Sequence, residues 1–144
     1  LAVSEDIRIE LRTDPALLHA VRALVWRYVN GFGASEEKTD EVVLAVDEAC
    51  TNAFRHSCEG RSDDRIVLRL RQNAACLDIE LEDDGIPAPQ DRLQPRELGP
   101  PDLDDLRPGG LGIHLIRRVF DEVTFTPGEK QGNRVLMRLK RPEQ

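Results

Sequence analysis

At 144 residues, with 20 Lys and Arg against 27 Asp and Glu, the chain has room for one domain with a single continuous core and carries a formal charge of −7. That balance argues against a nucleic-acid surface, which needs a basic patch, and no apolar run reaches membrane-spanning length or follows a signal-peptide pattern. Three cysteines (Cys50, Cys58 and Cys76) show no CxxC spacing and leave one without a disulfide partner, which fits reduced thiols in a cytoplasmic protein.

Residues 5–12 alternate apolar and charged side chains, the pattern of a half-buried strand. Thr13, Asp14 and Pro15 then supply a capping residue and a first-turn proline, opening a helix. Its apolar stripe runs through Leu17, Leu18, Val21, Leu24, Val25 and Tyr28, and Gly31 and Gly33 stop it. A second helix opens near Ser35, Glu36 and Glu37 and continues to about His56, with Val42, Ala45, Val46, Ala49 and Ala53 turned inward. Residues 65–71 and 76–82 alternate as two strands, with Gln72, Asn73 and Ala74 reading as the hairpin turn. Residues 86–108 contain six of the nine prolines and read as one long loop. From Gly109 to Phe120 a glycine entry leads into an apolar helix, and residues 121–126 and 133–140 close the chain as two strands. The order β-α-α-β-β-loop-α-β-β predicts a single domain over residues 1–144. Its class is α/β (α+β), a two-layer sandwich with helices on one face of a mixed, mostly antiparallel sheet.

Three segments carry chemistry. Glu48 and Asn52 are four residues apart, so they share one face of an otherwise apolar helix. A magnesium ion held between phosphates takes hard oxygen ligands and only one or two from protein, and an Asn carbonyl suits it without adding charge. A Glu one turn away can orient or deprotonate an attacking hydroxyl. A solvent-reaching Glu and an Asn bonded to a neighbouring loop would give the same spacing. Asp83 ends an alternating strand just before Gly85, where a carboxylate can accept a hydrogen bond from the amino group of adenine; a plain turn is the alternative. Gly109, Gly110, Leu111 and Gly112 precede an apolar helix, and glycines there let backbone N–H groups approach phosphate oxygens. A hinge after the proline-rich loop is the competing reading. No Lys-Ser/Thr follows, so the segment is not a Walker A loop.

In this order the segments resemble the Bergerat-fold GHKL superfamily of gyrase, histidine kinase and mismatch-repair ATPases. Within it the chain is similar to the RsbW/SpoIIAB type of anti-sigma factor serine kinase, through "VDEACTNAFRHS" and "GGLGIHLIRRVFDEV". The resemblance runs from about Asp14 to Lys140. It implies a Bergerat ATP-binding fold, with ATP and Mg2+ as cofactors. Glu48 would be the general base or position the nucleophile, and Asn52 would bind magnesium. Asp83, with Gly85 beside the base, would hold adenine. Gly109, Gly110, Leu111 and Gly112 would border the phosphates, and residues 86–108 would form a lid. Two positions depart from the family pattern: Pro87 stands where a second glycine is usual, and Asn133 replaces a threonine, leaving it to bond a water on the adenine.

The resemblance further implies a kinase that phosphorylates a STAS-type anti-sigma factor antagonist, sequesters a sigma factor, and forms a homodimer. An ATP-binding switch without phosphoryl transfer is the competing function, as is a kinase domain within a larger regulator. The switch has no need of a carboxylate at Glu48. Trp26 and Tyr28, near the end of the first helix, are open either to a partner or to packing on the sheet. His56 shares the helix face of Asn52, and His114 lies in the first turn after Gly112; neither is counted in the site. His19 has nothing near it in sequence to recruit.

Overall fold

Five antiparallel strands form one sheet, and three helices cover one of its faces in the computed structural model, which describes residues 6–57, 65–83, 110–127 and 132–142. The elements are β1 (Ile7–Arg12), a 3-10 turn (Pro15–Leu17), α1 (Leu18–Gly31), α2 (Glu36–Ser57), β2 (Arg65–Gln72), β3 (Cys76–Asp83), α3 (Gly110–Val119), β4 (Glu122–Pro127) and β5 (Asn133–Lys140). The sheet order is β1-β2-β3-β5-β4. A mixed sheet was the expectation; every described pairing is antiparallel, because both hairpins and the return of β5 beside β3 reverse the chain.

Local chemistry sets the element ends. The Asp14 carboxylate accepts a hydrogen bond from Ala16 N, which starts the 3-10 turn before α1 proper begins at Leu18. Ser35 Oγ accepts from Lys38 N and opens α2 in the same way. Gly33, with φ +103°, makes the turn between the two helices in a region that disfavours side chains. Asn73 Oδ1 accepts from Ala75 N and Cys76 N and shapes the β2–β3 turn. His19, for which the sequence offered no partner, has its ring Nδ1 on the carbonyl of Ala16.

The strand alternation separates two faces. Ile66, Leu68, Leu70, Leu77, Ile79 and Met137 are fully buried against Val21, Val25, Val42 and Val46 of the helices, in one core. On the other face Asp78 lies between Arg71 and Arg138, at 3.0 and 2.8 Å, and Glu80 and Glu82 pair with Arg134. Burial by itself would raise the Asp78 carboxyl, but the two guanidiniums outweigh it and hold the group below the usual carboxylate range. Trp26 and Tyr28 are half-buried: Trp26 Nε1 donates to Asp40 on α2, and Tyr28 OH donates to Asp6. Burial and the Asp6 carboxylate together push the Tyr28 phenol well above its ordinary value.

Two cationic side chains tie separate elements together. Arg141 donates to the carbonyls of Phe32, Ala74 and Asn73 and stacks 4.1 Å from the Phe32 ring, joining the chain's last strand to the end of α1 and the β2–β3 turn. Lys38 Nζ donates to the Val119 carbonyl at 2.6 Å, capping the C-terminus of α3 from the first turn of α2.

Candidate nucleotide site

The central turns of α2 place Glu48 and Asn52 on one face, as their spacing requires, and the first turn of α3 crosses that face at Gly112. A Cβ built on Gly112 would stand 3.0 Å from Glu48 Oε2 and 3.2 Å from Asn52 Nδ2. The glycine therefore lets the α3 backbone lie directly on the two polar side chains. Asn52 Oδ1 is buried and accepts no hydrogen bond from any described residue. An unpaired buried carbonyl costs free energy, on the order of 1–3 kcal/mol, unless a ligand supplies the missing partner. It is a neutral hard oxygen, so Asn52 fits a magnesium ion that keeps most of its own waters.

At the far end of the same pocket, β3 and β5 bring Asp83 opposite Asn133 in register. Asp83 is buried, and Asn133 Nδ2 lies 3.4 Å from its Oδ1. One open pocket is lined by residues of both ends. Ala49, Ala53, Leu81, Ile113, Ile116 and Phe125 give it apolar walls, while Asn52, Asp83 and Asn133 supply its polar groups. An apolar slot with a few converging polar groups is the usual form of a small-molecule site.

Of the residues expected at the site, Asn52, Asp83 and Asn133 line one pocket, while Glu48 and Gly112 meet beside Asn52 without being among its lining residues. Gly110 and Leu111 belong to the first turn of α3, whose leading N–H groups have no intrahelical acceptor. Gly85, Gly109, Pro87 and the expected lid over residues 86–108 lie outside the described residues, and nothing described bears on the His56 side chain. His114 is half-buried and is not among the pocket's lining residues. Sequence reasoning missed the walls contributed by Phe125 and Ile113. Their signal was only an apolar residue in a strand or helix, indistinguishable from core. Cys50, two residues from Glu48, points into the core; burial, with Asp47 adding to it, pushes its thiol up to about 12.

A buried acidic acceptor at one end of an apolar pocket, with an orphaned amide oxygen and a helix N-terminus at the other, defines a nucleotide-binding domain. The family model described as the histidine kinase-like ATPase domain matches residues 11–139, and the chain belongs to that family. It is 26% identical over 124 residues to the serine-protein kinase RsbW of Bacillus subtilis, covering 83% of this chain and 77% of that one. To RsbW of Bacillus pumilus it is 30% identical over 124 residues, covering 81% and 75%. The expected likeness to the RsbW branch is thus borne out. Among solved structures, the RsbU and RsbW domains of Rv1364c from Mycobacterium tuberculosis share the fold at a TM-score of 0.60 and 14% identity, covering 96% of this chain and 34% of that chain. The mycobacterial sensor histidine kinase MprB shares it at 0.55 and 14%, covering 95% and 100%. Membership of an ATPase-domain family implies ATP as the nucleotide. No helix among the described residues is long and apolar enough to cross a membrane.

Proposed function

We propose that this protein is an ATP-dependent serine/threonine kinase of the anti-sigma factor type. It phosphorylates a STAS-type anti-sigma factor antagonist and, in an alternative complex, sequesters a sigma factor, acting in the cytoplasm as a homodimer. The observation that carries the reading is the shared face of α2, where Glu48 stands one turn from Asn52 and its orphaned buried oxygen, with Gly112 over both.

In this mechanism Asp83 accepts a hydrogen bond from the adenine amino group, while the carbonyl of guanine at that position would repel it. The first N–H groups of α3 face the phosphates, where the helix dipole favours negative charge. A magnesium ion held by Asn52 would neutralise charge on the phosphate oxygens. The acceptor hydroxyl oxygen forms a bond to the γ-phosphorus as the bond from that phosphorus to the β–γ bridging oxygen breaks. ADP leaves with the electron pair, and Glu48 takes the hydroxyl proton. Positioning and charge neutralisation account for most catalysis of this kind, so these few side chains suffice. A switch that only binds nucleotide would leave the Glu48 carboxylate without a task.

Incubation with MgATP and a STAS-type antagonist, comparing wild type with Glu48→Ala, tests the assignment. Transfer should fall by at least about 100-fold in the variant while ATP still binds. Equal phosphate incorporation in both would remove Glu48 from the mechanism.

A further inference from the structure

Leu44 is the one large hydrophobic side chain among the described residues that remains widely exposed, at 52%. It lies in the middle of α2, and all four of its helical neighbours, at i−4, i−3, i+3 and i+4, are acids: Asp40, Glu41, Asp47 and Glu48. The core-facing positions of this stretch are Val42, Ala45, Val46 and Ala49, so the fold makes no use of Leu44. Two acids of the ring are fixed from α1: Trp26 Nε1 donates to Asp40 at 3.1 Å, and Arg22 Nε pairs with Asp47 at 2.7 Å. Glu41 is exposed, with Lys38 Nζ 3.7 Å away and already donating to Val119. The fourth acid is Glu48, one helical turn from Leu44, a rise of about 6 Å.

We propose that Leu44 and its carboxylate ring are the docking anchor for the phosphoacceptor protein. Its complement is an apolar socket rimmed by Lys or Arg on the acceptor, next to the serine or threonine that is phosphorylated. The inference rests on the kinase reading above and names the surface chemistry of its substrate. The charge decides the rim, since an acidic ring disfavours an acidic partner and steers a basic one. Position decides the occupant: a hydroxyl delivered to Glu48 must be carried by a protein lying over the adjacent turn of α2. An apolar anchor inside a polar rim is the common anatomy of a specific interface.

The test measures phosphorylation of a STAS-type antagonist by the full chain as wild type, Leu44→Glu, Leu44→Gln and Glu41→Gln. Leu44→Glu should raise KM for the acceptor by about 10-fold or more, with kcat at saturating acceptor and the Kd for ATP within about twofold of wild type. Leu44→Gln, which adds no charge, should show a smaller rise in the same direction. Wild-type KM should climb with salt, and Glu41→Gln should flatten that slope. An unchanged acceptor KM in Leu44→Glu overturns the proposal, including the case where only sigma-factor capture or self-association weakens. If the wild type transfers no phosphate, the kinase reading fails and this inference falls with it; if it transfers and both Leu44 variants match it, only the docking assignment fails.

Discussion

Gly112 and Glu48 are in direct contact across the α2–α3 crossing, so closely that a methyl group on the glycine would sit 3.0 Å from the carboxylate oxygen Oε2. Two effects of Gly112→Ala therefore oppose each other. Alanine is the better helix former, by roughly 0.5–1 kcal/mol. The added Cβ must displace the far ends of two flexible side chains, Glu48 Oε2 and, at 3.2 Å, Asn52 Nδ2, which costs little energy but moves the carboxylate proposed to take the hydroxyl proton. The expected outcome is a melting temperature unchanged or slightly higher, with phosphoryl transfer down about 10-fold, since small misplacements of reacting groups are expensive in rate. A variant that melts lower yet transfers normally would show that Glu48 is not held by this contact.

Asn52 carries the next prediction. Its Oδ1 is buried and lacks a partner among the described residues, which gives a bound cation something to repair. In Asn52→Ala, the gain in ATP affinity on adding magnesium should shrink by about 10-fold, while affinity measured in EDTA stays near the wild-type value. Calorimetric titration with and without the metal separates the two quantities. A full magnesium effect in the variant would place the ion elsewhere.

The sheet, the three helices and the Glu48–Asn52 pair were legible in the sequence because each has a period: two for the strands, 3.6 for α2. Asp83 was legible because it ends β3 beside a glycine. What the sequence could not give is the pairing of β3 with β5, which joins residues 50 positions apart and places Asn133 at Asp83. The crossing of α3 at Gly112 is equally long-range, and no local pattern encodes which glycine meets which helix. Phe125 and Ile113 were hidden for a related reason, since a pocket wall and a core residue have the same local signature. The 3-10 turn before α1 was missed because the Asp14 cap and Pro15 are compatible with either helix type.

Cys50 offers a chemical check on the packing of α2. Its thiol is buried and pushed up to about 12, while the thiolate is the form that reacts with alkylating reagents. Iodoacetamide at pH 8 should leave Cys50 unmodified in the native protein and label it fully once denaturant unfolds the core. Mass spectrometry of the peptide carrying residue 50 reads both states. Rapid native labelling would mean that α2 opens locally far more often than its buried face allows.

Asp78 gives a pH dependence whose sign follows from the held-down carboxyl. A folded pKa below the unfolded value of about 3.9 means the folded state favours the ionised form; its stabilisation is present above that value and lost as pH falls through the folded pKa. The Asp78 side chain is only 6% exposed, but Arg71 and Arg138 are 32% and 35% exposed, so solvent screens part of the attraction. Asp78→Asn should therefore cost about 2 kcal/mol at pH 7, less than breaking a wholly buried ion pair. The gap between variant and wild type should begin to narrow as pH falls below about 4, where the unfolded carboxyl takes up its proton, and should close only once pH falls below the lowered folded pKa. Urea unfolding of both proteins between pH 3 and 7 checks this, and a gap that stays constant over the range would show that Asp78 acts through packing rather than charge.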